Sequence, residues 1–279
     1  MIDIRQSFEY ANYLKKEGWI TERIENTNYF IKKLPLVGSV IKIQRPEEIN
    51  FKTTEKLCKK YRVFRVILEP KLTSSFGTIK GDHNLLISHG FKLSKSSYLP
   101  SKTLQIDLTQ PIDKITANFK KDARLALRKT KDLGFKIYDW DSLEGFRNSW
   151  KKAVGFKRYV PTLKSLIDLY ASFSPKKLIM LASHNTGAIF LRTKDTAYYW
   201  QAFTSKEGRA SLSQYSLVYQ GILWAKRMGC KVFDFEGIFD ERFPNKSWLG
   251  FTHFKKSFGG YEVLYLGCYT KFRFPYFDR

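Results

Sequence analysis

Apolar and polar positions follow two rhythms along this chain. Phe8, Ala11, Tyr13 and Leu14 recur at roughly helical spacing and predict a short amphipathic helix over 5–17. Strand-like runs follow at 19–24, 28–34 and 39–44, with the turn between the last two at 35–38. A helix is expected over 47–60, then an alternating β-branched strand over 62–69, stopped by Pro70. A helix at 80–89 and a strand at 104–108 come next. Residues 113–133 read as one long helix, ended by Gly134. A strand at 135–138 and helices at about 142–154 and 161–172 complete this half.

The pattern then restarts. Strands at 178–183, 188–192 and 197–203 are joined by short turns, and a polar loop at 204–211 leads into a helix at 213–228, ended by Gly229. A strand at 231–235, a short helix near 248–257 and a strand at 261–269 follow. Each half therefore runs through three strands, then helix–strand twice. This predicts an α/β (α+β) protein of two related modules with mixed sheets, divided as 1–145 and 146–279.

Composition narrows the partners. Hydrophobic residues make up 43%, enough for packed cores. Forty-nine Lys and Arg against 26 Asp and Glu give a formal charge of +23, a field that attracts polyanions and anionic membrane faces. A generally Lys-rich proteome would produce the same excess without such a role. The densest cationic stretch is the 113–133 helix, with Lys114, Lys120, Lys121, Arg124, Arg128, Lys129 and Lys131. Cys58, Cys230 and Cys268 stand singly, which fits a reducing cytoplasm and offers neither zinc spacing nor a redox pair. With four scattered His, no metal site is expected. The N-terminus has acidic residues and no apolar run of signal-peptide type, and no stretch approaches the roughly 20 apolar residues of a membrane span. A cytoplasmic location is expected, with any membrane contact peripheral to the inner face.

Two short blocks carry candidate chemistry. Phe233-Asp234-Phe235-Glu236-Gly237-Ile238 ends a strand in two carboxylates, with a glycine to turn the chain. Either the pair works at a site, or Asp234 caps a turn and Glu236 is solvated. In Gly250-Phe251-Thr252-His253-Phe254-Lys255-Lys256-Ser257-Phe258-Gly259-Gly260 the phenylalanines fall at helical spacing and face inward. That puts Lys255 beside an apolar face and Lys256 toward water. A lysine so placed can stabilise an oxyanion or grip a phosphate; a solvated lysine is the plainer alternative. On the strand at 197–203, alternation groups Tyr199 with Gln201 and Tyr198 with Trp200, one pair lining a groove or packing in the core. Serine-hydrolase elbows, Walker A loops and dinucleotide-binding glycine turns are absent.

Together these residues resemble the FemABX family of peptidoglycan bridge-forming aminoacyltransferases. The likeness covers most of the chain. It runs from Ala11-Asn12-Tyr13-Leu14 and Gly18-Trp19, through Leu68-Glu69-Pro70 and Ile106-Asp107-Leu108-Thr109, to Arg124 and Arg128-Lys129. Its clearest part runs from Trp224-Ala225-Lys226 through Asp234-Phe235-Glu236-Gly237-Ile238 to Phe254-Lys255-Lys256-Ser257-Phe258-Gly259-Gly260.

The resemblance implies two GNAT-like domains with a groove between them and no coiled-coil arm, the first taking the acceptor and the second the donor. It implies aminoacyl-tRNA as co-substrate with no other cofactor, and as acceptor an amine of the peptidoglycan stem peptide, on lipid II or UDP-MurNAc-pentapeptide. Lys255 matches the lysine of the family's Phe-Lys pair, expected to bind the donor and stabilise the tetrahedral oxyanion. Glu69 takes the place of an acidic residue of the acceptor groove, and Arg158 loosely matches an arginine that holds the precursor's phosphate. Tyr199 lies on the strand that supplies a family tyrosine, although that position aligns with Gln201. Asp234 and Glu236 are expected as groove lining or scaffold.

The chemistry suits such a donor. An aminoacyl ester is already activated, so transfer needs the amine held near the carbonyl and a cation for the oxyanion. Glu69, Asp107, Glu236 or the substrate itself could take the proton. Lys120, Lys121, Arg124, Arg128 and Lys129 form the candidate tRNA footprint. Ser205-Lys206-Glu207-Gly208-Arg209-Ala210 stands where a pyrophosphate-binding turn for coenzyme A would be, which argues against an acetyl-CoA donor. Two other readings remain: a GNAT-like N-acyltransferase with another donor or a protein N-terminus as acceptor, and a non-enzymatic basic module that binds RNA or membrane.

Overall fold

The computed structural model describes residues 1–71, 79–132, 138–139, 142–183 and 186–273. Ser7 starts the first helix, α1 (Phe8–Lys16), by accepting from the Tyr10 N–H at 3.1 Å. Strands β1 (Ile20–Ile24), β2 (Thr27–Leu34) and β3 (Gly38–Gln44) follow as a meander. Asn50 caps α2 (Phe51–Lys60), whose chain returns through β4 (Val63–Glu69), parallel to β3. Then come α3 (Ile79–Ser88) and the short β5 (Lys92–Leu93).

From β6 (Lys102–Asp107) the chain builds a second sheet. It continues through α4 (Ile112–Ala117), α5 (Lys121–Asp132), β7 (Tyr138–Asp139), α6 (Leu143–Val154), α7 (Leu163–Phe173), β8 (Leu178–Ser183), β9 (Thr186–Arg192) and β10 (Thr196–Thr204). After α8 (Lys206–Ala210) and α9 (Ser213–Arg227) come β11 (Val232–Gly237), α10 (Leu249–Lys256) and β12 (Tyr261–Leu264). Last, β13 (Tyr269–Phe272) inserts between β4 and β5 of the first sheet. The sheets run β1-β2-β3-β4-β13-β5 and β12-β6-β11-β10-β9-β8-β7, each mixing parallel and antiparallel pairs.

The chain thus divides into a terminal unit, 2–102 with 240–244 and 264 onward, and a central unit, 103–239 with 245–263. This departs from the expected division at 145/146. The reason is visible in one stretch. The strand expected over 261–269 is two strands in different sheets. Gly267 turns the chain between them at φ 100°, and a Cβ there would lie 2.7 Å from the Phe243 ring.

Each unit has its own core. In the terminal unit Tyr29, Ile31, Ile41, Leu57, Val66, Leu68 and Leu86 pack together. In the central unit Phe190, Tyr199, Phe233, Phe235 and Phe258 stack under α5 and α9. The helix expected over 113–133 is broken at 118–120. Phe119 turns into the core against Tyr219 and Phe258, and the Lys120 N–H donates to Ser257 O at 2.7 Å. Burying one ring outweighs continuing the helix. Gly134 and most of the strand expected at 135–138 lie outside the described residues.

Candidate functional site

The central unit's candidate site is built where two parallel strands stop pairing. Thr196, Ala197 and Tyr198 of β10 pair with Val232, Phe233 and Asp234 of β11. The pairing ends there, although both strands continue. On its other side β11 pairs with β6, and that register is also irregular between Asp234 and Gly237. At this point Glu236 adopts φ 60°, a left-handed conformation uncommon for a side chain of its size. The C-terminal end of β11 therefore frees backbone groups from the sheet.

One of these groups meets Lys255. On α10 the Phe251, Phe254 and Phe258 spacing brings Phe258 fully inside, and Lys255 goes in with it at 8% exposure. The ammonium donates to Gly237 O at 2.6 Å and sits 5.0 Å from the Phe251 ring centre and 5.9 Å from that of Tyr199. That is its single hydrogen bond among the described residues, which leaves two N–H donors beside the aromatic rings. Burial pulls its pKa down to about 8, against the opposing charges of Glu236 and Asp234. A cation this poorly solvated is a strong partner for a developing oxyanion. Lys256 points outward, as expected, and pairs with Glu262 at 2.5 Å.

Asp234 is held from three sides. Gln105 Nε2 donates to its Oδ2 at 2.8 Å, the Glu236 N–H donates to Oδ1 at 2.6 Å, and the Thr103 hydroxyl also contacts Oδ1. The same hydroxyl touches Glu236 O. Burial, reinforced by the charge of Glu236, pushes its pKa up to about 6. By fixing the Glu236 turn, Asp234 shapes the segment that presents Gly237 O to Lys255. Glu236 carries charge toward both Asp234 and Lys255.

Tyr199 lies under this arrangement, its hydroxyl accepting from Gln214 Nε2 at 2.6 Å. Burial raises its pKa, so it stays a neutral phenol. Gln201 does not share its face. A bulge between Tyr199 and Gln201 pairs them with the adjacent residues Phe190 and Ile189 of β9. Adjacent residues of a strand point to opposite faces, so the extra residue, Trp200, turns Gln201 away from Tyr199.

The remaining sequence candidates lie elsewhere. Glu69, in the terminal unit, has 0% exposure and accepts from Gln44 Nε2 (3.0 Å), Tyr98 N (2.8 Å) and Leu99 N (2.6 Å). So satisfied, it anchors the 98–99 backbone and offers no accessible oxygen to an acceptor. Asp107 is likewise engaged, since the Thr109 hydroxyl and N–H hold its pKa below the usual carboxylate range. Arg158 is exposed just after a short turn at Gly155–Lys157. On α5, Ala123, Ala126 and Thr130 face inward, leaving Lys121, Arg124, Arg128 and Lys129 exposed with Lys120 just before them.

Sequence reasoning missed several residues. Thr103 and Gln105 grip Asp234, and the signal was their alternation with apolar Leu104 and Ile106 on β6. Gln214 gave no signal. In the terminal unit Arg45 is buried over the Tyr265 ring at 3.5 Å and donates to Pro70 O and Pro100 O. No described helix is long and apolar enough to cross a membrane.

No protein-family model matches the chain, and no curated protein sequence does. Solved structures do. FemX superposes with a TM-score of 0.82 at 15% identity, covering 97% of this chain and 92% of FemX. The C-terminal domain of a putative lysylphosphatidylglycerol synthetase from Agrobacterium fabrum gives 0.62 at 13% identity, over 96% of this chain and 88% of that one. A tandem GNAT protein from the clavulanic acid biosynthesis pathway gives 0.53 at 10% identity, over 88% and 78%. The chain therefore has the FemX fold, two GNAT-like units with mixed sheets, as the sequence resemblance implied.

Proposed function

We propose that this protein is an aminoacyltransferase that moves an amino acid from aminoacyl-tRNA to an amine of the peptidoglycan stem peptide, on lipid II or UDP-MurNAc-pentapeptide. The observation that carries the reading is Lys255: a buried ammonium with two unused donors, set where β10 and β11 separate, in a FemX-like fold. The donor and acceptor follow from the FemABX-like motifs in which Lys255 stands.

In the proposed reaction the acceptor amine attacks the ester carbonyl carbon. The carbonyl oxygen becomes an oxyanion and takes hydrogen bonds from the Lys255 ammonium. The C–O bond to the tRNA ribose then breaks, an amide bond remains, and the ribose hydroxyl regains a proton. The amine must shed a proton on the way. Glu69 and Asp107 are held by other groups, and Glu236, whose charge acts on Lys255, or the substrate itself is the proposed proton acceptor. The exposed cations of α5 would hold tRNA phosphates.

The test is to incubate the protein with a mixed pool of charged tRNAs and lipid II and to read product masses. Addition of an amino-acid mass to the stem peptide supports the reading. Lys255→Met should remove most turnover while leaving the circular dichroism unchanged. A Lys255→Met variant with full activity refutes the assigned role, and transfer from acyl-CoA in place of charged tRNA refutes the donor.

A further inference from the structure

The turn joining β2 and β3 exposes an apolar surface that no core claims. Its residues 34–37 read Leu-Pro-Leu-Val, and all four are exposed. Leu36 is fully exposed, with Val37 more than half so and Leu34 next to it. Leu36 also sits at φ 66°, in the left-handed region where glycine or asparagine is less strained. A leucine held there, entirely in water, is unfavourable twice over, and among the described residues Leu36 is not part of the terminal unit's core.

The surroundings of this tip are cationic. Lys33 is exposed immediately before it. On the other side the turn after α2 is locked to the hairpin base. The Ser39 N–H donates to Arg62 O at 3.1 Å, and the Ser39 hydroxyl donates to Tyr61 O at 2.6 Å. A Cβ on Gly38 would lie 2.5 Å from Arg62 O, so the two turns touch. That turn carries exposed Lys59 and Arg62. Lys60 is neutralised by Glu22 at 2.7 Å, and Lys32 bends back to Gly18 O at 2.9 Å, so neither belongs to the rim.

We propose that the β2–β3 tip is a membrane anchor, in which Leu34, Leu36 and Val37 enter the interface of an anionic bilayer while Lys33 and Lys59 sit among its headgroups. A small apolar wedge with a basic rim is the chemistry of peripheral attachment, where buried apolar area and attraction to acidic lipid add. The net charge of +23 has the right sign. A protein partner fits less well, because three side chains fall far short of the roughly 800 Å² per side of a stable protein interface. The inference stands whether or not the proposed transferase reaction is correct, since it rests on the hairpin alone.

The experiment is vesicle co-sedimentation of the full chain at about 0.15 M salt. Vesicles of phosphatidylcholine with about 30 mol % phosphatidylglycerol are compared with phosphatidylcholine alone. The protein should bind the anionic vesicles and largely ignore the neutral ones. The L36D/V37D variant should melt like the parent yet bind at least tenfold more weakly, and K33E/K59E should weaken binding as well. The three cysteines are buried, so L36C can be labelled selectively with an environment-sensitive fluorophore, whose emission should shift to the blue on adding anionic vesicles. Binding of L36D/V37D within twofold of the parent would show that charge alone holds the protein, and would overturn the proposal. So would an unshifted label, or a concentration-dependent dimer that the same substitutions abolish.

Discussion

Replacing Lys255 by methionine gives a sharp test of the site's physics, because its effect on stability should change with pH in a defined direction. An ordinary lysine titrates near 10.5, and burial lowers Lys255 to about 8. Between these values the unfolded chain binds a proton that the folded chain has released. Stability contributed by this residue therefore rises with pH across that window, and below pH 8 the folded protein carries the full cost of a buried charge. The difference of about 2.5 pKa units corresponds to about 3 kcal/mol at about 1.4 kcal/mol per unit. Methionine keeps most of the volume and has no charge to bury. The stability of Lys255→Met relative to the parent should thus be about 3 kcal/mol more favourable at pH 7 than near pH 10.5. Urea unfolding of both proteins at several pH values, followed by tryptophan fluorescence, measures it. A difference that stays flat from pH 7 to pH 10.5 would mean that the ammonium is not desolvated, and the argument that it is a strong oxyanion partner would go with it. Loss of transfer without loss of stability at pH 7 is the combined signature of a group placed for reaction at the expense of the fold.

Three further outcomes follow from the central unit. Asp234→Asn should abolish a pH step: with a folded pKa near 6 against an ordinary 3.8, Asp234 binds its proton more tightly when folded, so stability falls by up to about 3 kcal/mol as pH rises through that window, and the parent-minus-variant difference should trace the fall. A difference that instead grows with pH would show that the carboxylate is stabilised in the fold. Gly221→Ala should destabilise by about 1–3 kcal/mol in thermal melts, because a Cβ there would lie 2.2 Å from the fully buried Phe190 ring; an unchanged melt would place that ring elsewhere. Reversing Lys121, Arg124 and Arg128 to Glu should weaken tRNA binding and flatten its log–log salt dependence by about 0.7–0.9 for each phosphate no longer neutralised, whereas an unchanged slope would move the tRNA footprint off α5.

What the sequence made legible was whatever repeats along a helix or a strand. The strands at 20–24, 27–34 and 38–44 and the helix ended by Gly229 arose from periodicity and turn chemistry, and each formed within a few residues of its expected bounds. Lys255 belongs to this class. Three phenylalanines at helical spacing fix which side of α10 is buried, and a lysine next to that side is carried in with it. What stayed hidden depends on partners distant in sequence. Phe119 breaks a well-formed helical pattern because Tyr219 and Phe258 wait for it. Glu69 looked available until the backbone of Tyr98 and Leu99, about thirty residues on, took its oxygens. Trp200 adds one residue to β10 opposite β9 and reverses the face of Gln201, a change that alternation alone cannot show.

The same distinction explains why carboxylates were harder to assign than the lysine. A long, flexible ammonium side chain announces itself when an apolar helix face leaves it nowhere else to go. A carboxylate's role is decided by which N–H and O–H groups reach it, and those come from whichever strands the topology brings alongside. Asp234 is flanked by β6, whose Thr103 and Gln105 lie about 130 residues earlier in the chain. Glu236 differs from Asp234 by two positions and a left-handed turn, and that turn is itself held by Asp234. The two carboxylates are therefore not an acid–base pair of equals: Asp234 accepts from the Glu236 N–H and shapes the loop, while the charge of Glu236 acts on Lys255. If the aminoacyl transfer proposed above is correct, the Asp234 grip on the Glu236 N–H fixes the turn that presents Gly237 O to Lys255, and loosening it should disturb the oxyanion donor.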